Sequence, residues 1–195
     1  LTACFGPSDR ADACARAIIA AANLSADFPQ AVLDEAKFLE HRGIPERELL
    51  DRLDLRGEII FTIDGADSKD LDDAVSLAKQ GGFYRLGVHI ADVSHYVKPH
   101  SLLDEEAFAR GTSVYYADHV LPMLPKALSN GICSLNPQEE RLAFSALLTL
   151  SPEGKLLDFT FRKTVIRSRV KGVYSEVNAL LRGDADERLR EKYRE

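Results

Sequence analysis

Residues 62–75, TIDGADSKDLDDAV, place Asp64, Asp67, Asp70, Asp72 and Asp73 within ten positions, with Lys69 as the single cation among them. They follow directly on the apolar run Ile59, Ile60, Phe61 and Ile63. Like charges within a few ångströms disfavour joint ionisation, so such a cluster must spread into water, take up protons or gather around a cation. The β-prone segments on either side argue against a fully splayed loop, and the stretch reads as a divalent-cation site at the end of a strand. Hard carboxylate oxygens select magnesium, manganese or calcium over softer metals. A calcium loop of the EF-hand kind needs glycine sixth and glutamate twelfth. Counting from Asp64, glycine is second and Val75 is twelfth, which excludes that loop. An open, carboxylate-rich site suits metal-assisted phosphoryl chemistry. The competing reading is that the aspartates cap the next element and face water.

The 195 residues are 45% hydrophobic and 29% charged, enough for one domain with its own core or one domain plus part of another. The longest uncharged apolar stretch, 142–150, is too short to span a bilayer, and the N-terminus lacks the order of a signal peptide. A soluble, cytoplasmic protein with no membrane partner is expected; the sequence leaves the oligomeric state open. Cys4, Cys14 and Cys133 are odd in number and form no CxxC pair, which fits reduced thiols. The start at Leu1 and the charged run 188–195 suggest a piece of a longer protein. A net charge of −6 speaks weakly against a polyanionic partner. Yet Arg162, Lys163, Arg167, Arg169 and Lys171 put five cations and no anion into ten residues. On composition alone they read as a solvated strand face.

Around the acidic stretch the hydrophobic period changes. Before it lie three expected helices: 9–24 with Ser8 as N-cap, 29–40 opened by Pro29, and a short one opened by Pro45. Residues 59–63 predict a strand buried on both faces, 75–78 and 83–91 a hairpin turning at Gly81-Gly82, and 142–150 and 155–170 a second hairpin turning at 152–154. Within the last strand the apolar positions switch from odd (Leu157, Phe159, Phe161) to even (Ile166, Val170), which predicts a bulge near Thr164. Ser101 and Gly111 bracket an expected helix over 102–110. Residues 112–125 read as an ordered, mostly irregular loop with a short β-like run at 113–116, and Ser175 as the cap of a last helix. The fold class expected is α+β: a mixed, largely antiparallel sheet with flanking helices, preceded by a helical connector.

The segments DLRGEIIFTIDGADSKDLDDAVSL, YRLGVHIADVSHYV, RGTSVYYADHVLPMLPKALSNGICSLNP and FRKTVIRSRVKGVYSEVNALL occur in this order. Together they resemble the catalytic (RNB) domain of the ribonuclease II/ribonuclease R family, on its bacterial ribonuclease R side. The resemblance covers 51–195. It implies the N-terminal part of that domain over 51–195, a helical connector over 1–50, and in residues 1–6 the last strand of a preceding cold-shock-type domain.

The activity implied is processive 3′-to-5′ hydrolysis of single-stranded RNA to nucleoside 5′-monophosphates, with magnesium as cofactor and manganese as a possible substitute. By position, the family aspartates fall on Asp64, Asp70, Asp72 and Asp73 as the metal site. Asp72 and Asp70 are the catalytic candidates, and Asp67 is a variable loop residue. Tyr115 matches the tyrosine that stacks on the terminal base, and the resemblance turns Arg167, Arg169 and Lys171 into candidate RNA contacts. His89 and His95 are expected to be packed or surface histidines, because the carboxylates already suffice for a hard ion. The family's later arginine-rich motif lies beyond this sequence, so the isolated chain is expected to be weakly active or inactive. The alternatives are a noncatalytic RNA-binding relative and a metal-stabilised interaction module.

Overall fold

Alternating apolar residues and the Gly81-Gly82 turn build the hairpin at the centre of the sheet. The computed structural model describes residues 3–22, 24–116 and 119–194. Strand β3 (Asp73–Gln80) runs antiparallel to β4 (Phe83–Ala91) in unbroken register, from Asp73 opposite Ile90 to Gln80 opposite Phe83. Gly81 and Gly82 take φ of 57° and 87°, values that a side chain would strain.

β4 pairs outward with β7 (Glu140–Leu150), which pairs with β8 (Leu156–Arg167), giving the second expected hairpin. On the other side β2 (Ile60–Asp64) runs antiparallel to β3, and β9 (Val170–Val173) runs parallel to β2. β1 (Leu53–Asp54) lies parallel to β8. The order β1-β8-β7-β4-β3-β2-β9 is the mixed, largely antiparallel sheet expected.

That order forces the sheet to curl. β8 ends at Arg167 and β9 begins at Val170, with four strands between them in the order. Flat packing would separate them by about 24 Å, whereas three residues reach about 11 Å at most. Beside the bend, Arg169 N donates to Ile60 O at 2.7 Å, extending the β2–β9 ladder, and Leu55 N donates to Val165 O at 2.9 Å, extending the β1–β8 ladder. A Cβ on Gly172 would meet Thr62 O at 2.6 Å, so only glycine lets β9 close onto β2 there.

The strand expected over 155–170 is therefore two strands: β8, flanked on its outer side by the two-residue β1, and β9 at the far edge of the sheet. The bulge expected near Thr164 is absent: pairing stays in register from Glu140↔Arg167 to Thr149↔Asp158, and the irregularity falls between Thr149 and Leu150. The switch in apolar parity has another cause. Leu157, Phe159 and Phe161 lie on an open face, about half exposed, with Phe161 stacked on Phe144 at 6.0 Å between ring centroids. Further along, Thr164, Val165 and Ile166 are all fully buried, so parity no longer matters. In β2, Ile60 and Thr62 are fully buried and Phe61 and Ile63 half-buried, while Ile59 lies outside the strand and is exposed.

Helices cover one face. α2 (Gln30–Arg42) and α5 (Leu102–Arg110) bury Val32, Ala36, Leu103 and Ala107 against Tyr96, of α4 (Val93–Tyr96), and against Leu128, Leu142 and Val165. Ser101 Oγ accepts from Asp104 N at 3.2 Å, and Gly111 ends the helix at φ 73°. Below α3 (Glu46–Asp51), Arg52 Nη2 donates to Asp92 Oδ2 at 2.6 Å with both side chains buried.

Two expected caps fail. α1 (Ala11–Ala21) starts from Arg10, not Ser8, and α6 (Tyr174–Arg182) already contains Ser175; neither N-cap has a side-chain bond. The charged tail forms α7 (Glu187–Lys192), where the Asp186 side chain accepts from Leu189 N at 2.7 Å. The region expected to be irregular holds a small hairpin, β5 (Val114–Tyr116) with β6 (His119–Leu121). Of the strand expected over 1–6, residues 1 and 2 lie outside the described residues and 3–6 form no strand. Among the described residues no helix is long and apolar enough to cross a membrane.

Candidate active site

The acidic stretch joins β2 to β3. Asp64 ends β2, Asp73 begins β3, and Asp70 and Asp72 lie in the loop between, flanking Leu71. Leu71 is 2% exposed and packs with Ile60, Ala74, Leu135 and Ile166. One buried apolar residue between two carboxylates turns the carboxylates away from the core. The loop backbone is held at several points: Leu135 N donates to Leu71 O at 2.8 Å and Ala91 N to Asp72 O at 2.9 Å. Ser134 Oγ accepts from Leu71 N at 3.0 Å and donates to Lys69 O at 2.9 Å. From the other side, Lys171 Nζ donates to Ala66 O at 2.9 Å and Ser68 O at 2.6 Å.

The four expected carboxylates share a neighbourhood. Burial is the first cause that raises Asp64 above the ordinary carboxylate range. The charges of Asp73 and Asp70 add to it, against the pull of the Thr62 hydroxyl and Lys171. The Thr62 contact falls short of hydrogen-bond geometry, for Thr62 Oγ1 and Asp64 Oδ2 are both buried with no hydrogen-bond partner. Asp72 keeps an exposed surface as a residue. Even so, its carboxyl is raised, first by partial desolvation and then by Asp70, Asp73 and Asp64. Asp67 is exposed. Among the described residues no three His, Cys, Asp or Glu side chains already converge as a ligand shell. The carboxylates thus raise one another's pKa without forming a ready-made ligand shell. Hard oxygen donors and a buried carboxylate oxygen without a partner fit a hard divalent cation.

Tyr115, 65% exposed on β5, donates its hydroxyl to Asp70 Oδ2 at 2.8 Å. The structure thus brings the expected stacking residue to the carboxylate loop. The expected cations do not form one strand face. Arg167 ends β8 opposite Glu140, with Nε buried and unbonded. Arg169 sits in the bend and donates to Gly57 O at 3.5 Å. Lys171, on β9, has two of its donors engaged by the acidic loop. Ser134 and the bracing part of Lys171 escaped the sequence reading, since nothing local marks a partner 63 or 103 positions away.

The histidines are packed, as expected. His89 is fully buried between Ser76 Oγ at 3.1 Å and Ser145 Oγ at 2.8 Å, and burial lowers it to about 4. His95, also lowered by burial, faces Glu48 at 3.4 Å.

The site is a cluster of aspartates at the β2–β3 loop of a curled, largely antiparallel sheet. Residues 52–195 match the RNB domain family, and the chain belongs to that family. It is 49% identical over 168 residues to Ribonuclease R 1 of Lactococcus lactis, covering 86% of this chain and 20% of that protein. Identity to Ribonuclease R of Escherichia coli is 47% over 167 residues, covering 85% of this chain and 20% of that protein. The chain thus spans about a fifth of the length of the curated relatives it matches. Mycoplasma genitalium RNase R in complex with ribose-methylated single-stranded RNA matches with a TM-score of 0.87 at 29% identity, over 97% of this chain and 30% of that one. Yeast Ssd1, a pseudonuclease, matches with a TM-score of 0.76 at 18% identity, over 93% of this chain and 23% of that one. That likeness shows the fold alone, and catalysis must be argued from the site.

Proposed function

We propose that this chain carries the carboxylate site of a 3′-to-5′ exoribonuclease, hydrolysing single-stranded RNA processively to nucleoside 5′-monophosphates in the cytoplasm. The reading rests on one convergence. At a single loop, Asp64 has a buried carboxylate oxygen without a protein partner, and the exposed ring of Tyr115 is held to Asp70. Asp64, Asp70, Asp72 and Asp73 would hold magnesium, with manganese as substitute, and the bound ion would supply positive charge to the phosphate and lower the pKa of water. Tyr115 offers a face on which a terminal base stacks, worth roughly 1–3 kcal/mol and indifferent to base identity. Asp72, raised first by partial burial and then by its charged neighbours, and Asp70, bonded to Tyr115, are the catalytic candidates. Arg167 and Arg169 remain candidate phosphate contacts at the bend.

Residues 1–50 serve in this reading as a connector after a cold-shock-type domain, in keeping with a family match that begins at residue 52. The chain spans about a fifth of its relatives, and on its own it is expected to turn RNA over weakly or not at all.

The test uses the full-length protein and a 5′-labelled oligoribonucleotide with magnesium. The wild type should shorten it stepwise from the 3′ end, releasing 5′-monophosphates. Asp72→Asn should bind the oligonucleotide within about threefold of the wild type without shortening it. Internal cuts, or turnover retained by Asp72→Asn, would overturn the reading.

A further inference from the structure

We propose that Ser134 is a positioning residue for the reaction, fixing the backbone on either side of Asp70, with Lys171 as a second clamp on the same loop. The inference rests on the hydrolytic reading above and deepens it. Ser134 is fully buried, so it meets neither solvent nor RNA. Its single hydroxyl accepts from Leu71 N and donates to Lys69 O, the peptide groups of the two residues that flank Asp70 in sequence. No strand ladder serves those groups, and leaving the buried Leu71 N–H without a partner would be costly.

Ser134 is itself fixed. Its N–H donates to Gly131 O at 3.1 Å, and its carbonyl accepts from Arg141 Nε at 2.7 Å. Lys171 grips Ala66 O and Ser68 O on the opposite side of the same loop. Two side chains remote in sequence thus tether the backbone over 66–71, and Leu135 N ties the carbonyl that immediately precedes Asp72. A displacement of about 1 Å in a catalytic group can cost on the order of 100-fold in rate.

The test compares Ser134→Ala with Ser145→Ala in the full-length protein. Ser145 is equally buried but bonds His89 and Thr164 inside the sheet, at 2.8 and 2.7 Å. Both variants should lose similar thermal stability. Only Ser134→Ala should lower kcat, by about tenfold or more, with KM for the oligonucleotide within about twofold of the wild type. Equal kcat values for the two variants would overturn the proposal. Should Ser134→Ala fail to fold, Lys171→Met decides: a lower kcat at unchanged KM supports the clamp. A raised KM with wild-type kcat, or no change in either, overturns it. A wild-type protein that leaves RNA intact would instead remove the hydrolytic reading itself.

Discussion

The Tyr115 hydroxyl donates a 2.8 Å hydrogen bond to Asp70 Oδ2, joining residues 45 positions apart. It couples the β5–β6 hairpin to the carboxylate loop, and Asp70 holds the phenol above its ordinary pKa. Ring and hydroxyl can be separated. Tyr115→Phe keeps the stacking face and frees Asp70, so oligonucleotide affinity should stay within about twofold. Tyr115→Ala loses the face and should weaken affinity by about 5–150-fold, the equivalent of roughly 1–3 kcal/mol. Fluorescence anisotropy on the full-length protein would separate the two, and equal losses would remove the ring from RNA binding.

Asp64 is a site of stored instability. Burial and neighbouring charges raise its pKa, so its ionised form weakens the fold at neutral pH, and the penalty fades as pH falls through the raised value. Asp64→Asn should therefore raise Tm in metal-free buffer, because the amide carries no charge to desolvate or to repel Asp73 and Asp70. Added manganese should stabilise the wild type and leave this variant unmoved. Calorimetry with and without manganese checks both arms.

His89 gives the fold an acid-sensitive window. Its pKa falls to about 4 from 6.5, so between those values the unfolded chain binds a proton that the folded one excludes. Its contribution is complete above pH 6.5 and drains away as pH falls towards 4, by roughly 3 kcal/mol in all. Urea titrations at pH 7 and pH 4.5 should show the loss, and His89→Gln should shrink it.

The Arg52–Asp92 pair ties the helical segment to the sheet. Burial alone would raise Asp92, but hydrogen bonds from Arg52 and Ser94 outweigh it and hold the carboxyl below its ordinary value. The gain is present above the unfolded pKa and lost as pH falls through the folded one. Asp92→Ala removes the shorter of two carboxylate contacts on a buried guanidinium, leaving Glu48 at 3.3 Å, and should cost about 3 kcal/mol, the low end for breaking a buried pair, whereas a well-packed apolar replacement of both Arg52 and Asp92 should cost less. Denaturant midpoints of the single and double variants would show whether the pair behaves so.

The local patterns were strong enough to set much of the fold. Alternation fixed β4 at 83–91, Ser101 and Gly111 bracketed α5, and paired glycines located the central turn, because each signal acts over a few neighbouring residues. Ser8 and Ser175 misled for the same reason: a capping residue shows competence to cap, and tertiary packing then chose other starts for α1 and α6. Parity along 155–170 suggested a bulge, whereas burial on both sides of Val165 and Ile166 and the crossing to the far edge of the sheet account for it.

At the site, the order of residues alone determined that Asp64, Asp70, Asp72 and Asp73 crowd one strand-to-strand link, since charges a few positions apart cannot escape one another. Only the folded chain decided what surrounds them. Curling of the sheet brings Lys171 beneath the loop, Leu71 sinks between two carboxylates, Ser134 reaches back 63 residues to the backbone around Asp70, and Tyr115 closes from the facing hairpin. Those contacts depend on strand order and curvature, which no short stretch of sequence encodes.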